Sequence, residues 1–447
     1  MQINIQSFSF AMFAAFVMLA AGCKSSGLKG DPATADDAVA SADVPEVDAE
    51  PSDISTRDQV AADPDVPADL DVPVDPDVTV VDLAVDHGSG ADDSLIVADD
   101  GGEDAPPDIQ PPDVGPPPPE GCVLGEFRPY FGNMHAHTSN SDGAGTPADA
   151  FAYARDTAKL DIQFVTDHLE QLYVIPCLMP DKDFPDCQQA ATDATVSGTF
   201  LAGCGFEYGT SFGGVTGHNN VYFAAGLFPC LQAYFTEFYQ SVVDDKSCIA
   251  QFNHPGDSFT HTWRNFEYHA DVDQNLNLME FNTGGDAWAL FFQALDAGWH
   301  VSPLYDQDNH GADWGTKNDS RAGFFMTDLT AEALHMAMRD RRSFATTDKN
   351  STIALKTADG CWMGSILQKV KSVTVTAEVA DPDSGDGFIA LEFWGPKMTQ
   401  FRAVDCAGAS TCSGSTTVQV SGPTFVLARA LQSDGQYMVS APIWMEP

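Results

Sequence analysis

The chain has 447 residues, and 65 Asp and Glu against 21 Lys and Arg give it a formal net charge of −44. So acidic a chain argues against nucleic acid as a partner, because phosphate backbones are bound by basic surfaces. It does not exclude a small anion held through metal ions. The acidity is uneven: residues 24–120 hold 26 of the acids, three bases (Lys24, Lys29, Arg57), 15 of the 28 prolines and no Phe, Trp or Tyr. Such a stretch cannot bury enough apolar surface to fold, which leaves residues 121–447 to build a core.

At the start of the chain, the apolar run Phe8 to Ala21 is shorter than the roughly 20 residues of a membrane span and predicts a signal peptide over 1–22. Leu19-Ala20-Ala21-Gly22-Cys23 resembles a bacterial lipoprotein cleavage box, which implies lipidation of Cys23. One departure is that Met1–Ser7 carries no Lys or Arg. An uncleaved hydrophobic anchor is the alternative, and in both cases the rest of the chain is expected outside the cytoplasmic membrane. The predicted location is therefore an outer membrane or cell surface, with membrane contact through an N-terminal lipid only. Residues 23–120, with Asp63-Pro64-Asp65-Val66-Pro67 and the run Pro116–Pro119, predict a disordered Asp/Pro-rich linker. A flexible chain of that length reaches roughly 50–60 Å, and like charges stretch it further.

Nine cysteines remain beyond Cys23, and an oxidising compartment would pair most of them. Cys177/Cys187 and Cys406/Cys412 are close enough in sequence to staple local loops. Cys122, Cys204, Cys230, Cys248 and Cys361 are then left, with at least one unpaired. No Cys-x-x-Cys occurs, which argues against a thiolate zinc site.

From Arg128 the texture changes. Arg128-Pro-Tyr-Phe-Gly-Asn-Met-His135-Ala-His137 reads as a strand entering a loop, and residues two apart on an extended segment face the same side. Asp142 follows in Ser141-Asp142-Gly143, and a helix opens at Pro147. Leu160 to Thr166 is a buried strand ending in Asp167-His168, and Thr199 to Phe206 another ending in Glu207. His218 opens a third strand, Ser247 to Asn253 ends in His254, Leu276 to Asn282 contains Glu280, and His300 to Tyr305 runs into Asp306-Gln-Asp308-Asn-His310. Helical segments intervene near 286–297 and 328–341.

Apolar strands thus end repeatedly in His, Asp or Glu. In a β/α barrel the strand ends line one mouth, where these side chains would converge. Imidazole and carboxylate without sulfur suit Zn, Mn or Fe. No Gly-x-Ser-x-Gly elbow supports a serine hydrolase, and Thr283-Gly-Gly lacks the lysine of a phosphate loop.

His135-Ala-His137-Thr, Ser141-Asp142-Gly143, Thr166-Asp167-His168, Gly205-Phe-Glu207, Asn253-His254-Pro255 and Asp308-Asn-His310 resemble, in order, the motifs of the PHP (polymerase and histidinol phosphatase) metallohydrolases. The resemblance covers about 128–350. Gly217-His218-Asn-Asn-Val-Tyr and Ser440-Ala-Pro-Ile-Trp444 are similar to the carbaryl-hydrolase-type (CehA/McbA-like) branch. This resemblance implies an α/β fold, a distorted (β/α)7 PHP barrel over 121–348, holding two or three divalent metal ions. By position, His135, His137, Glu207 and Asp308 would hold the first. Glu207 would bridge to a second, held also by His254 and by His218 unless His218 contacts substrate. Asp142, His168 and His310 would hold a third. The implied activity is hydrolysis by a metal-bridging hydroxide, with a third metal or Arg264 steadying the developing charge. The wider family implies a phosphoester substrate, the nearer branch a carbamate or carboxylic ester or amide. The alternative is a non-catalytic cell-surface binding or display module; oligomeric state is open.

Asp167 and Asp306 are expected to orient imidazoles. Glu280 is open between the mouth and packing, and Arg264 and Lys317 are the candidates for gripping an anionic substrate. His261 and His269 read as rim residues, His300 and His335 as structural. Beyond Thr347 the pattern alternates: strands near 352–356, 373–379, 388–394, 416–420 and 425–431 predict a small all-β sandwich-like domain over 349–447. Asp381-Pro-Asp383-Ser-Gly-Asp386-Gly reads as an acidic turn or a calcium loop.

Overall fold

The computed structural model describes residues 118–169, 183–209, 217–229, 235–256, 263–281, 286–383 and 385–447. The expected signal peptide, Cys23, nearly all of the acidic linker, Cys177, Cys230 and His261 lie outside the described residues. Among the described residues no helix is long and apolar enough to cross a membrane.

The first part of the fold is mixed α/β. Its elements begin with β1 (Arg128–Asn133), α1 (Pro147–Tyr153), β2 (Ile162–Val165), α2 (Asp183–Ala194), β3 (Leu201–Cys204) and β4 (Phe206–Gly209). Next come β5 (His218–Tyr222), α3 (Phe235–Asp244), β6 (Ile249–Phe252), α4 (Trp263–Phe266), α5 (Ala270–Asp273) and β7 (Leu276–Glu280). They close with α6 (Ala287–Ala297), β8 (Ser302–Leu304), β9 (Arg321–Met326), α7 (Ala331–Arg339) and β10 (Ser343–Thr346). Only strands and one short turn of helix follow: β11 (Thr352–Thr357), β12 (Ile366–Leu367), β13 (Ser372–Ala380), β14 (Phe388–Gly395) and β15 (Thr399–Ala409). The last are β16 (Thr411–Gln419), β17 (Thr424–Gln432), β18 (Tyr437–Ser440) and β19 (Ile443–Met445).

The local chemistry explains the split. β2, β4, β6 and β7 are buried at every position, as strands covered on both faces must be. β11 and β13 instead alternate buried and more exposed residues. α1 starts where Thr146 and Asp149 bond each other's backbone N–H, with Pro147 at the first helical position.

The pairing of the short strands follows a ring. β1, β2 and β3 pair in parallel, and β3 passes through Gly205 into β4. β4, β5 and β6 are antiparallel, and β6, β7 and β8 parallel again. Two further pairings join the two arcs: His168, just beyond β2, with Glu207 of β4, and Ala136, just beyond β1, with Asn309 after β8, where His137 N–H donates to Asn309 O (2.8 Å). Both joins carry candidate ligand residues.

Outside the ring, β9 lies antiparallel to β1, and the sheet continues through β10, β18, β17, β19 and β12, with β14 and β15 paired onward from β17. A three-stranded sheet, β11-β13-β16, shares an apolar core with these strands, including Ile353, Leu355, Val375, Phe393, Val426 and Ala428. β11, β13, β14, β16 and β17 fall where alternation placed strands; β15 was missed because it is largely exposed on both faces.

The disulfides correct one expectation. Cys187 does not staple to Cys177; it bonds Cys204, because α2 packs back along β3 and brings the two Cα atoms to 6.1 Å. Cys406 and Cys412 pair as expected, across the β15–β16 turn. Cys122 pairs with Cys361, 239 residues away, and Cys248 is buried and free.

Candidate metal centre

The ring delivers its polar strand exits to one place, and Glu207 is at its middle. Its Oε2 lies 3.1 Å from His135 Nε2, 3.2 Å from His137 Nε2 and 3.2 Å from His168 Nδ1. Its Oε1 lies 3.0 Å from His218 Nδ1 and 3.1 Å from His254 Nε2, and accepts a bond from Asn253 Nδ2 at 2.9 Å. A carboxylate offers about four lone-pair directions. Five imidazoles and an amide outnumber them, so hydrogen bonds alone cannot satisfy this arrangement.

Asp308 closes one side, with Oδ1 3.0 Å from His137 Nε2 and 3.4 Å from His135 Nε2. The two Nε2 atoms face each other at 3.2 Å. Nitrogen and oxygen ligands held about 2.0–2.2 Å from a tetrahedral ion lie roughly 3.3–3.6 Å apart. The separations among His135, His137, Glu207 and Asp308 lie within a few tenths of an ångström of that spacing, their chemistry is that of a divalent-metal site, and their ligand atoms group together in space. A second group is His168, Glu207 and His218, and a third Asp142, His168 and His310 together with His137. In the third, Asp142 Oδ2 is 3.5 Å from His310 Nε2 and 3.9 Å from His168 Nε2. His254 shares Glu207 Oε1 with His218 but stands outside these three groups.

The centre is graded from dry to wet. His135 and His137 are fully buried, whereas Asp142 and His310 are nearly half exposed, marking the open side. Burial and charge compete at each group. Burial would depress the His135 imidazole, but Glu207, Asp308 and Glu280 outweigh it and raise it well above its usual value. His137 is likewise raised to about 9 against burial, by bonds to Asp308 and Glu207. His168 is lowered to about 4, chiefly by burial. Burial would raise Glu207, yet His135, His168 and His218 hold it well below the carboxylate range; Asp142 is held at about 2, first by His310. Two buried imidazoles that favour positive charge beside carboxylates that stay ionised make a site complementary to cations.

Supporting groups fix the ring orientations, and here the expectations need correction. Among the described residues, neither Asp167 nor Asp306 bonds an imidazole directly. Asp167 accepts from Thr138 N–H and Oγ1 (both 2.6 Å) and from Ser141 Oγ (2.7 Å), and Ser141 Oγ in turn lies 3.4 Å from His137 Nδ1. Asp306 accepts from Met134 N–H (2.8 Å) and Gln251 Nε2 (3.2 Å), so it orders backbone below the centre. Asp306 is raised to about 7 by burial and the nearby Glu280. Glu280 is the carboxylate behind His135, with Oε2 3.3 Å from Nδ1, and it also accepts His254 N–H at 2.7 Å. Asn253 and Ser141 lie inside the recognised motifs, but no spacing rule marks them as supports.

Lys317 is partly engaged: two of the three donors of its Nζ go to Gln307 O (2.7 Å) and Asp308 O (3.1 Å), because the loop after β8 folds back on itself. Arg264 sits on α4, half exposed, with Glu267 at 3.6 Å. His269 packs against the Tyr239 ring, His300 bonds Asp273 (2.6 Å), and His335 bonds Ser247 O (2.9 Å).

No family profile matches the chain, and no curated protein does. Among solved structures, it is similar to a two-domain protein from Bacteroides vulgatus containing a predicted PHP-like metal-dependent phosphoesterase. That match has 14% identity, a TM-score of 0.39, and covers 74% of this chain and 100% of the other. A candidate metal-dependent phosphoesterase from Bifidobacterium adolescentis matches at 13% identity and TM-score 0.31, over 46% of this chain and 95% of its own. An amidohydrolase from Chromobacterium violaceum, with bound sulfate, matches at 14% identity and TM-score 0.26, over 40% of this chain and 87% of its own.

Proposed function

We propose that this chain is an exported, lipid-anchored, metal-dependent hydrolase of the PHP type, closest to the CehA/McbA-like branch. In this reading 121–348 forms a distorted (β/α)7 barrel and 349–447 a β-sandwich-like domain. The observation that carries the function is the crowding of five imidazoles on the Glu207 carboxylate, flanked by Asp308 and Asp142.

His135, His137, Glu207 and Asp308 would hold one ion, Glu207, His218 and His254 a second, and Asp142, His168 and His310 a third, as Zn, Mn or Fe. Bound there, such ions supply an activated water and polarise a P=O or C=O bond. The chain's own residues prepare the site. With an ion bound, Glu280 would hold the His135 proton on Nδ1, leaving the Nε2 lone pair to the ion. Ser141, held by Asp167, stands behind His137 in the same way. Buried strand ends exclude water from the His135 side, while Asp142 and His310 face the side from which a substrate enters. With two of Lys317's three donors on backbone carbonyls, steadying of negative charge falls mainly to the ions and Arg264.

The substrate is a small molecule with a hydrolysable bond: a phosphoester, or a carbamate or carboxylic ester or amide. The full chain, made in an oxidising compartment, is expected to carry two or three metal equivalents by elemental analysis. It should hydrolyse one class when aryl phosphates, phosphodiesters, carbamates, acyl esters and amides are assayed side by side. Absence of both metal and turnover would overturn this and leave the display module.

A further inference from the structure

Two of the ligand residues are held from behind by a single loop. Asp308 adopts a left-handed backbone conformation (φ 45°), which costs a non-glycine residue roughly 1–2 kcal/mol and persists only where its surroundings impose it. Lys317 imposes it: Nζ donates to the carbonyls of both Gln307 (2.7 Å) and Asp308 (3.1 Å). Gln307 is itself fixed, its N–H on Asn133 Oδ1 (3.1 Å), its Oε1 accepting Gly315 N–H (3.0 Å) and its Nε2 donating to Asn318 O (3.0 Å).

Three residues before Lys317, Trp314 reaches the other ligand strand. Its ring is buried, and Nε1 donates to His137 O at 3.1 Å. The ring also lies against Gly145, where a Cβ would come within 2.8 Å of Cη2, so the loop carrying Asp142 closes only on a residue without a side chain. The two residues so held, His137 and Asp308, meet at 3.0 Å through Nε2 and Oδ1.

We propose that the 313–318 loop is a brace, with Trp314 and Lys317 as positioning residues that set the His137–Asp308 spacing and thereby the affinity and geometry of the ion held by His135, His137, Glu207 and Asp308. This rests on the metal-centre reading above. The argument is geometric: both donors act on backbone carbonyls of ligand residues and leave the ligand atoms free. Two of the three donors of the Lys317 ammonium are thus given to carbonyls beside the ligand atoms.

The test uses the full chain with Co²⁺ as the probe, comparing wild type, Lys317→Met and Trp314→Phe, the last keeping a six-membered aromatic ring while removing the N–H together with the five-membered part of the indole. Both variants should bind Co²⁺ about 10–100-fold more weakly, as loss of groups supporting metal ligands typically does, with a shifted visible d–d band. Lys317→Arg, which restores a cationic donor, should recover part of both. Lys317 is exposed, so its variants are expected to fold, and circular dichroism checks this. A merely structural loop would lower the melting temperature and leave Co²⁺ affinity and spectrum unchanged; that result overturns the brace. Wild type that binds Co²⁺ yet hydrolyses nothing would sink the hydrolase reading and leave the brace standing, whereas wild type that binds no Co²⁺ overturns both.

Discussion

Glu207 concentrates the chemistry of the molecule in one side chain, and its charge is what the five surrounding imidazoles require. Glu207→Gln keeps the shape but replaces one acceptor oxygen by an amide donor facing imidazole nitrogens. We expect at least one metal equivalent to be lost and turnover to fall by more than about 100-fold, since losing a mere supporting partner already costs 10–100-fold. Elemental analysis and kcat check this; full metal content with wild-type rate would remove Glu207 from the centre. The residues gathered around Glu207 were legible because most of them follow a strand exit, in motifs whose spacing has a geometric meaning; His218, which opens β5, and Asp142, in the loop before α1, were legible from the motifs alone. Glu280 was not, since a carboxylate at a strand's end reads the same whether it faces a mouth or a packed interface. A different residue reports on stability. Cys248 is fully buried, its Sγ toward Val242 O (3.7 Å), and burial pushes the thiol up to about 12. The unfolded thiol ionises near 8.5, so above that pH ionisation lowers the free energy of the unfolded state but not of the folded one, and stability declines as pH rises toward the folded value. Denaturant midpoints between pH 8 and 10 should fall more steeply for wild type than for Cys248→Ala; parallel slopes would refute the assignment.

Gly205 shows how an element's path decides the site. It joins β3 to β4, two residues before Glu207, and a Cβ there would lie 2.3 Å from Val221 O on β5. A backbone oxygen in a paired strand cannot yield as a side-chain tip can, so Gly205→Ala must push β4 from β5. Overpacking of this kind costs about 1–3 kcal/mol. The displaced segment carries Glu207, so both the melting temperature and the metal content should drop. A variant as stable as wild type with all its metal would show that β4 tolerates the shift. Short buried strands such as Leu276–Glu280 were legible as apolar runs ending in polar residues. The Cys187–Cys204 bond was not, because it depends on the direction in which α2 returns, and sequence proximity favoured Cys177. Likewise Lys317 looked like a free surface cation until the course of its loop set its ammonium on two carbonyls.

At the scale of the whole chain, the charge of −44 separates at a physical junction. Residues 24–120 carry 26 acids and three bases, but the last few residues before β1 are part of the folded unit. Glu120 O accepts Gln368 N–H (3.0 Å), Gly121 O accepts Ile366 N–H (3.2 Å), and Val123 O accepts Trp362 N–H (2.9 Å). Glu120 also pairs with Lys369 (2.9 Å), and Cys122 is bonded to Cys361. Residues 120–125 therefore strap the start of the core to the segment around β12, closing a covalent loop over a sequence separation of 239. Restricting the unfolded chain in this way contributes typically about 2–4 kcal/mol. Composition placed the boundary near 120 because acids and prolines end there, but it could not show that Cys122 belongs to a bond with the far end of the fold. Two truncations separate the contributions. A chain beginning at 118 should keep the denaturant midpoint, metal content and turnover of the longer protein, since the acidic residues it lacks are assigned no part in the centre. A chain beginning at 128 removes the strap, its backbone bonds and its disulfide together, and should lose about 2–5 kcal/mol. If the two shortened chains unfold at the same denaturant concentration, the strap contributes nothing. If the chain beginning at 118 loses its metal, the acidic segment takes part in the chemistry after all.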